Sequence, residues 1–195
     1  NMYIRFPSLI NDTGASGVSY DTDAQAYFTA ASITDNTQKD AWNTFVNSAK
    51  SGDAYWNNLI AIWPFLGSDA NKTKYNAKNT ATNLIVWNGS LTHDSMGVTG
   101  DGSTGYGMTG FSPSSSSWTS SSLSHGGYYR NAIQSSKTGI TDVSLTLYTF
   151  NSGGQFYSLI PSSNAISVAT TISKFIISNV NNTNEQRIYR DGTNI

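Results

Sequence analysis

The chain has 195 residues, enough for one large domain or for one domain with a small appendage. Only 12% of the residues are charged, 37% are apolar and 12% are aromatic, so a core can form beneath a surface covered mostly by Ser, Thr, Asn and Gly. The formal net charge is −1 with no basic run, which leaves nucleic-acid binding without an electrostatic basis, and the absence of cysteine excludes disulfides and Cys-ligated metal centres.

Residues 1–21 are predicted to form an extended N-terminal segment without a signal-peptide pattern, and no apolar run in the chain has the length of a membrane span. Helical periodicity then predicts a helical section over residues 22–66. In "DTDAQAYFTAA", Thr22 is the expected N-cap because Gln25 completes a capping box, and Asp23 favours the positive end of the helix.

A second helix is predicted in "ITDNTQKDAWNTFVNSAK", with Thr34 or Asp35 as its N-cap, Lys50 in its last turn and Gly52 just beyond. Its expected apolar face consists of Ala41, Trp42, Phe45, Val46 and Ala49.

A third short helix is predicted in "DAYWNNLIAIWPF", ended by Pro64. We expect Trp56, Leu59, Ile60 and Trp63 to share one side of it. The aromatic residues of this section could line a binding groove, but short amphipathic helices must bury their faces, so we interpret Trp42, Phe45, Trp56, Leu59 and Trp63 as core.

Residues 67–83 are interpreted as a linker, and residues 84–195 as a β section whose strands alternate with Gly, Asn, Ser and Pro turns, a spacing typical of an antiparallel sandwich. The predicted strands lie in "NLIVWNGS", "LSHGGYYRNAIQ", "VSLTLYTF", "GQFYSLIP", "ISVATTISKFIISNV" and "QRIYRDGTNI". "VSLTLYTF" alternates with Val143, Leu145, Leu147 and Thr149 on one face. The serine-rich stretch 112–122 is predicted as an exposed loop, in which Trp118 is either anchored inward or projects outward.

Three segments fall in a familiar order: "GVTGDGSTGYG", "LSHGGYYRN" and "ISKFIISNVNNTNEQRIYRDGTNI". Over residues 84–195 this order resembles a concanavalin A-like (laminin G-like) jelly roll. The fold class expected from the resemblance is mostly β, with a jelly-roll sandwich behind a small helical section (α+β overall). Asp191-Gly192 is a strong hairpin signal. In the laminin G-like order further strands follow that turn, so we expect the chain to be a fragment.

The helical segment, followed by "YNAKN" and "GSLTHDSMGVTGDGSTGYGMT", resembles a module of tailed-phage virion proteins over residues 22–110. Members of that family often have "NGTNGYA" where this chain has "DGSTGYG". Asp101 in place of Asn and Gly107 in place of Ala are therefore expected to be mild departures. The resemblance implies a phage particle without indicating which part of it.

The sequence gives little support for a catalytic site. His93, Asp94 and His125 with Ser95 or Ser124 could be arranged as a triad, but no nucleophile elbow is present, and loop histidines that make turn hydrogen bonds are the favoured interpretation. Two facing carboxylates are likewise not indicated, since Asp142 and Glu185 are the acidic residues near strands and no motif surrounds them. We predict no catalytic residues and no enzymatic activity.

Calcium is the one cofactor that the sequence raises, because concanavalin A-like folds often hold this ion at loop edges. Asp94, Asp101 and Ser103 are the candidate ligands, but their spacing does not match an EF-hand, and Asx turns explain the same residues.

Two function classes remain. The first is a non-enzymatic structural or interaction component of a phage virion: a capsid decoration, fibre or tail protein located in the extracellular particle. The second is a carbohydrate-binding, lectin-like module for receptor recognition, with Tyr106, Trp118, Tyr128 and Tyr129 as candidate platforms, although packing is the favoured role of all four. The expected partners are other virion subunits, including further copies of the chain, and a host surface glycan, with no nucleic acid and no membrane insertion.

Overall fold

The computed structural model describes residues 19–51 and 55–111 and, further along the chain, eight strands. The helices are α1 (Thr22–Ala30), α2 (Asn36–Ser51), a 3₁₀ turn (Tyr55–Asn58) and α3 (Ala70–Thr73). The strands are β1 (Val86–Asn88), β2 (Leu91–Asp94), β3 (Gly97–Gly100), β4 (Tyr106–Met108), β5 (Leu123–Tyr129), β6 (Gly139–Asp142), β7 (Leu145–Tyr148), β8 (Gln155–Leu159), β9 (Ile166–Ala169), β10 (Lys174–Asn182), β11 (Glu185–Arg190) and β12 (Thr193–Asn194). The described part is therefore a mixed α and β structure of short helices and small antiparallel sheets.

Helix α1 begins one residue earlier than its capping-box pattern predicts. The N-cap is Asp21, whose carboxylate accepts a hydrogen bond from the Asp23 backbone N–H at 2.9 Å. Thr22 is the first helical residue, so its assignment as the N-cap is wrong. A carboxylate at the N-cap satisfies a free N–H and also favours the positive helix end, which a Thr hydroxyl does less well. Asp23 lies in the first turn, as predicted.

Helix α2 follows its predicted pattern closely. Asp35, one of the two expected N-caps, accepts a hydrogen bond from the Gln38 backbone N–H at 2.8 Å, and Lys50 lies in the last turn. Trp42, Val46 and Ala49 are buried and Phe45 is half-buried. Ala41 is exposed, so its place on the apolar face is wrong.

The third predicted helix is replaced by a single 3₁₀ turn. After that turn the chain is not helical, because the backbone at Ile62 bonds elsewhere: its N–H donates to Asn76 Oδ1 and its carbonyl accepts from the Ala77 N–H. Phe65 has a φ of 56°, which a continuing helix cannot contain. The expected helix side shared by Trp56, Leu59, Ile60 and Trp63 therefore does not form, and Ile60 is 37% exposed whereas Trp56 is buried.

A single apolar core unites the helices. It comprises Ala24, Tyr27, Phe28, Ala31, Ile33, Trp42, Val46, Ala49, Trp56 and Ala77. The Trp42 ring stacks on Phe45 at 5.0 Å and meets Trp56 edge-on at 6.4 Å. Phe45 and Leu59 pack against the cluster, which confirms four of the five predicted packing residues. Trp63 instead is half-buried and donates its indole N–H to the Asn83 carbonyl.

A polar clamp joins the start of α1 to the end of α2. Lys50 Nζ lies 2.7 Å from both Asp21 Oδ1 and Asp23 Oδ2. Asp23 Oδ2 also accepts a hydrogen bond from the Trp56 indole N–H at 2.9 Å. Negative charge at a helix N-terminus and positive charge at a helix C-terminus are each favourable. The clamp therefore stabilises both helix ends, because it holds the aspartates at the start of α1 and the lysine at the end of α2.

The segment 67–83, interpreted as a linker from its sequence, is packed into the same unit. It contains α3, which is capped by Asp69, and it buries Thr73, Asn76 and Ala77. Thr73 and Asn76, the two polar residues among them, are each less than 2% exposed.

Two four-stranded antiparallel sheets lie further along the chain. One has the order β12-β11-β10-β5 and the other is the meander β6-β7-β8-β9. β10 carries an irregularity between Val180 and Asn182. Arg190 faces Thr193 where β11 pairs with β12, which is the strand pairing that the hairpin signal predicts. The described residues do not include residues 191 and 192, the serine-rich stretch 112–122 with Trp118, or the side-chain faces of the "VSLTLYTF" strand.

Within the described residues, none of the helices is both long and apolar enough to cross a membrane.

Candidate functional site

The most exposed apolar surface of the described residues belongs to residues 86–108, which we call the glycine-rich ribbon. In it β1 pairs with β4, placing Val86 opposite Met108 and Asn88 opposite Tyr106. β2 and β3 form a hairpin between these strands, with Leu91 opposite Gly100. The chain can turn after β1 because Gly89 has a φ of +70°, which glycine adopts without steric cost.

The Asp101 loop is held together by one carboxylate. Asp101 Oδ1 accepts backbone N–H bonds from Ser103, Thr104 and Gly105, and Oδ2 accepts the Thr104 hydroxyl at 2.6 Å. The Thr104 hydroxyl bond, together with the three N–H bonds, holds the pKa of Asp101 far below its usual range. The loop packs tightly against the turn after β1, because Gly105 lies directly against the Ser90 carbonyl and leaves no room for a side chain there.

Trp87 and His93 attach the ribbon to α3. The Trp87 indole N–H donates to the Ala70 carbonyl at 3.2 Å, and the His93 ring meets the Trp87 ring edge-on at 5.0 Å. His93 Nδ1 is 2.8 Å from Thr73 Oγ1 on α3. Burial lowers the pKa of His93, while the nearby Asp69 carboxylate opposes that change.

Gly107 is required by this attachment. A Cβ at this position would lie 2.5 Å from Trp87 Cζ3 and 2.7 Å from Ile85 Cγ2. Real Cβ contacts are about 3.5–4.0 Å, so an alanine here would push the Trp87 ring. The glycine and Trp87 of this chain are therefore matched to each other, because an alanine at position 107 fits only if Trp87 moves.

The opposite face of the ribbon is open. Val86, Tyr106 and Met108 are 57%, 56% and 54% exposed, and the β1–β4 register places them together on one face. Of the residues predicted as ligand platforms, Tyr106 and Tyr128 are exposed, so the prediction that these two serve in packing is wrong. The side chain of Tyr129 on β5, and Trp118, lie outside the described residues.

The three candidate calcium ligands do not converge. Asp94 faces Gly97 at the closed end of the β2–β3 hairpin, whereas Asp101 and Ser103 follow Gly100 at its open end, about 10 Å away along the strand. Asp94 Oδ1 accepts the Met96 backbone N–H, so both aspartates serve Asx-type turns. Among the described residues, no group of three or more His, Asp or Glu could hold a metal ion.

Both histidines lie on strands, so their interpretation as loop residues is wrong. His93 is on β2 and His125 is on β5, opposite Ser178. His125 is 9% exposed, and within the described part of the structure neither of its ring nitrogens has a hydrogen-bond partner. Burial accordingly lowers the pKa of His125 to about 4. Asp142 ends β6 and Glu185 begins β11, and their side chains lie outside the described residues.

Sequence reasoning missed the contacts that assemble the ribbon. The His93–Thr73 bond and the Trp87–Gly107 contact join residues about 20 positions apart, and no local pattern marks either of them. The glycines themselves were the available signal, since a glycine inside a strand often marks close approach of another group.

Comparison of the chain with protein-family models, with curated proteins and with solved structures gives no match.

Proposed function

We propose that the chain is a non-enzymatic structural or interaction component of a phage particle: a capsid decoration, fibre or tail protein. The sequence support is the resemblance to tailed-phage virion proteins over residues 22–110. Within that stretch the ribbon packs against α3 through Trp87 and His93, and the segment that contains α3 contributes Ala77 to the core of the helical section. A segment that is one packed unit is more readily shared between proteins as a module.

We further propose that the β section is a concanavalin A-like jelly roll. The two four-stranded antiparallel sheets supply the kind of layers from which a sandwich is built. On β5, Ser124 and Tyr128 are exposed while His125 between them is buried, which is the alternation expected of a strand with one solvated face.

The observation that carries an interaction role is the open face of the ribbon. Val86, Tyr106 and Met108 are each more than half exposed and lie on neighbouring strands. Contiguous exposed apolar residues commonly mark surfaces that bind another protein. We infer that other virion subunits, including further copies of the chain, cover this face in the particle.

A non-enzymatic role is supported by the hydrogen bonds that the polar candidate residues of the ribbon already make. His93 bonds Thr73, Asp94 closes the β2–β3 turn, and the Asp101 carboxylate accepts four hydrogen bonds within its own loop. Each of these side chains therefore has a structural role in a turn, a loop or a packing contact.

The test is to purify particles of the phage that encodes the chain and to label them with antibodies raised against it. We expect regular labelling at one part of the particle. A chain that is abundant in the infected-cell lysate but absent from purified particles would refute the proposal.

Incorporation also tests the ribbon face. The double variant V86T/M108S makes that face more polar, and it should reduce incorporation into particles. Met96→Ser is the matched control, because Met96 is 70% exposed in the β2–β3 turn and lies outside the β1–β4 pairing. Equal incorporation of the two variants would remove the face from the proposed interface.

A further inference from the structure

The turn after β1 contains the only Asn-Gly pair of the chain, Asn88-Gly89. Asparagine is a thermolabile residue, because the backbone nitrogen of the next residue can attack its carboxamide carbon. Glycine hinders that attack least, since it has no Cβ beside the attacking nitrogen. Asn88 is the half-buried last residue of β1, and Gly89 is exposed. Water therefore reaches both partners of the reaction.

Few contacts restrain this pair in the folded chain. The Asn88 carboxamide donates one hydrogen bond, from Nδ2 to the Val86 carbonyl at 3.0 Å, and that bond is exposed to solvent. Gly89 lies beyond the end of β1, and among the described residues no hydrogen bond is found for its N–H. A solvent-exposed hydrogen bond is readily exchanged for one to water. The carboxamide can therefore turn toward the Gly89 nitrogen at little cost.

Comparable positions in the described structure are protected. Asp101-Gly102 could form the same ring, but the Asp101 oxygens accept four hydrogen bonds, which keep its pKa low and its carboxylate ionised. An ionised carboxylate is a poor electrophile. Asn76 is less than 2% exposed, and its Oδ1 accepts the N–H groups of Ile62 and Lys78. These bonds hold its carboxamide in place, away from water.

The reaction would lengthen the backbone of the ribbon. The Gly89 nitrogen bonds to the side-chain carbonyl carbon of Asn88, the carboxamide nitrogen leaves as ammonia, and water opens the resulting succinimide. Opening on one side gives aspartate, and opening on the other gives isoaspartate, whose side chain becomes part of the backbone and adds one carbon to it. Gly89 packs directly against the Thr104 carbonyl, so the longer backbone displaces this turn from the Asp101 loop.

We propose that Asn88 is a site of spontaneous deamidation, and that its isoaspartate product opens the β1–β4 pairing. Asn88 faces Tyr106 at the end of this pairing, where an added backbone carbon shifts the register of β1. The only co-reactant is water. The inference goes beyond the proposed function and does not depend on it, because both the reaction and the pairing are measured on the purified chain.

The experiment incubates the full chain at neutral and mildly alkaline pH, both folded in buffer and unfolded in guanidinium chloride. Peptide mapping by mass spectrometry follows each Asn, and labelling by isoaspartyl methyltransferase detects isoaspartate, which direct hydrolysis does not produce. Asn88→Gln is the control for the reaction, because Gln keeps the carboxamide but must close a larger ring that forms more slowly. Asn88→Asp is the control for the pairing, because it carries the new charge without the added backbone carbon. Hydrogen exchange of the β1 and β4 amides reports the pairing.

We expect isoaspartate at position 88 of the folded chain, formed about twofold to tenfold more slowly than in the unfolded chain, since one exposed hydrogen bond opposes it. Asn88→Gln should abolish it, and the aged wild type should lose amide protection in β1 and β4 that fresh Asn88→Asp keeps. The reaction is disproved if position 88 of the folded chain gives no isoaspartate, or if Asn76 or Asp101 converts as fast. Unchanged protection in the isoaspartate form, or equal loss in Asn88→Asp, overturns the proposed effect on the pairing.

Discussion

Replacing Gly107 by alanine tests the match between this glycine and Trp87. The backbone of Gly107 is outside the left-handed region, so the cost of the change is steric. The new methyl would lie 2.5 Å from Trp87 Cζ3, about 1 Å inside an ordinary carbon–carbon contact. The ring cannot shift freely, because its N–H is bonded to the Ala70 carbonyl and the ring contacts both Phe65 and His93.

Overpacking of this kind costs about 1–3 kcal/mol, and we expect Gly107→Ala to lower the free energy of unfolding by that amount. Gly100→Ala is the matched control, since a Cβ at Gly100 would be 3.4 Å from its nearest neighbour, the Gly105 carbonyl oxygen. Both changes restrict the unfolded chain similarly, so their difference isolates the clash.

The assay is urea unfolding followed by circular dichroism, with the midpoint and slope fitted for each variant. In a Trp87→Leu background the cost of Gly107→Ala should fall by about half or more, because the smaller side chain vacates the space. Equal stability of Gly107→Ala and Gly100→Ala, or a cost that is unchanged in the Trp87→Leu background, would refute the assigned contact.

Three further predictions concern stability. Trp42→Ala should cost about 3–5 kcal/mol in urea unfolding, because the ring is only 7% exposed, and a loss below about 1 kcal/mol would contradict its place in the core. His125 is neutral in the folded chain, with its pKa lowered to about 4, so stability should fall by up to roughly 3 kcal/mol as pH drops from about 6.5 to about 4; His125→Leu should flatten this slope, and an unchanged slope would show that the imidazole is accessible to protons when folded. The pKa of Asp101 is lowered by its loop bonds, so its contribution is present above its ordinary value near 3.8 and is lost as pH falls further; Asp101→Asn should therefore unfold with less pH dependence below about pH 4, and a profile parallel to wild type would contradict the bonding.

Local sequence patterns predicted the elements that local forces decide. The stripe of Trp42, Val46 and Ala49 marked the buried face of α2, and Asp35 marked its start, because capping and helical periodicity act within a few residues. The alternation and turn residues further along the chain likewise indicated antiparallel strands. The Asp191-Gly192 signal predicted the pairing of β11 with β12 for the same reason.

Only the tertiary structure decided which local preference was realised. Residues after Trp56 have a helical pattern, yet Asn76 and Ala77 take the hydrogen bonds of Ile62 and keep that stretch out of a helix. A partner 14 residues away cannot be read from a local window, and once it satisfies the backbone the helical preference no longer decides the conformation.

In the candidate site, too, some features follow from local sequence and others from tertiary packing. Its glycines and Asp101 were visible as a turn-rich motif, but the exposure of Tyr106 depends on how β1 pairs with β4, and the place of the Asp101 loop depends on how Gly105 packs on Ser90. Exposure is a property of the whole surroundings of a side chain, so the same tyrosine could be core or surface until the strands that flank it were paired. The sequence supplied the chemistry of each side chain, and the packing of distant segments determined which of those side chains reach solvent.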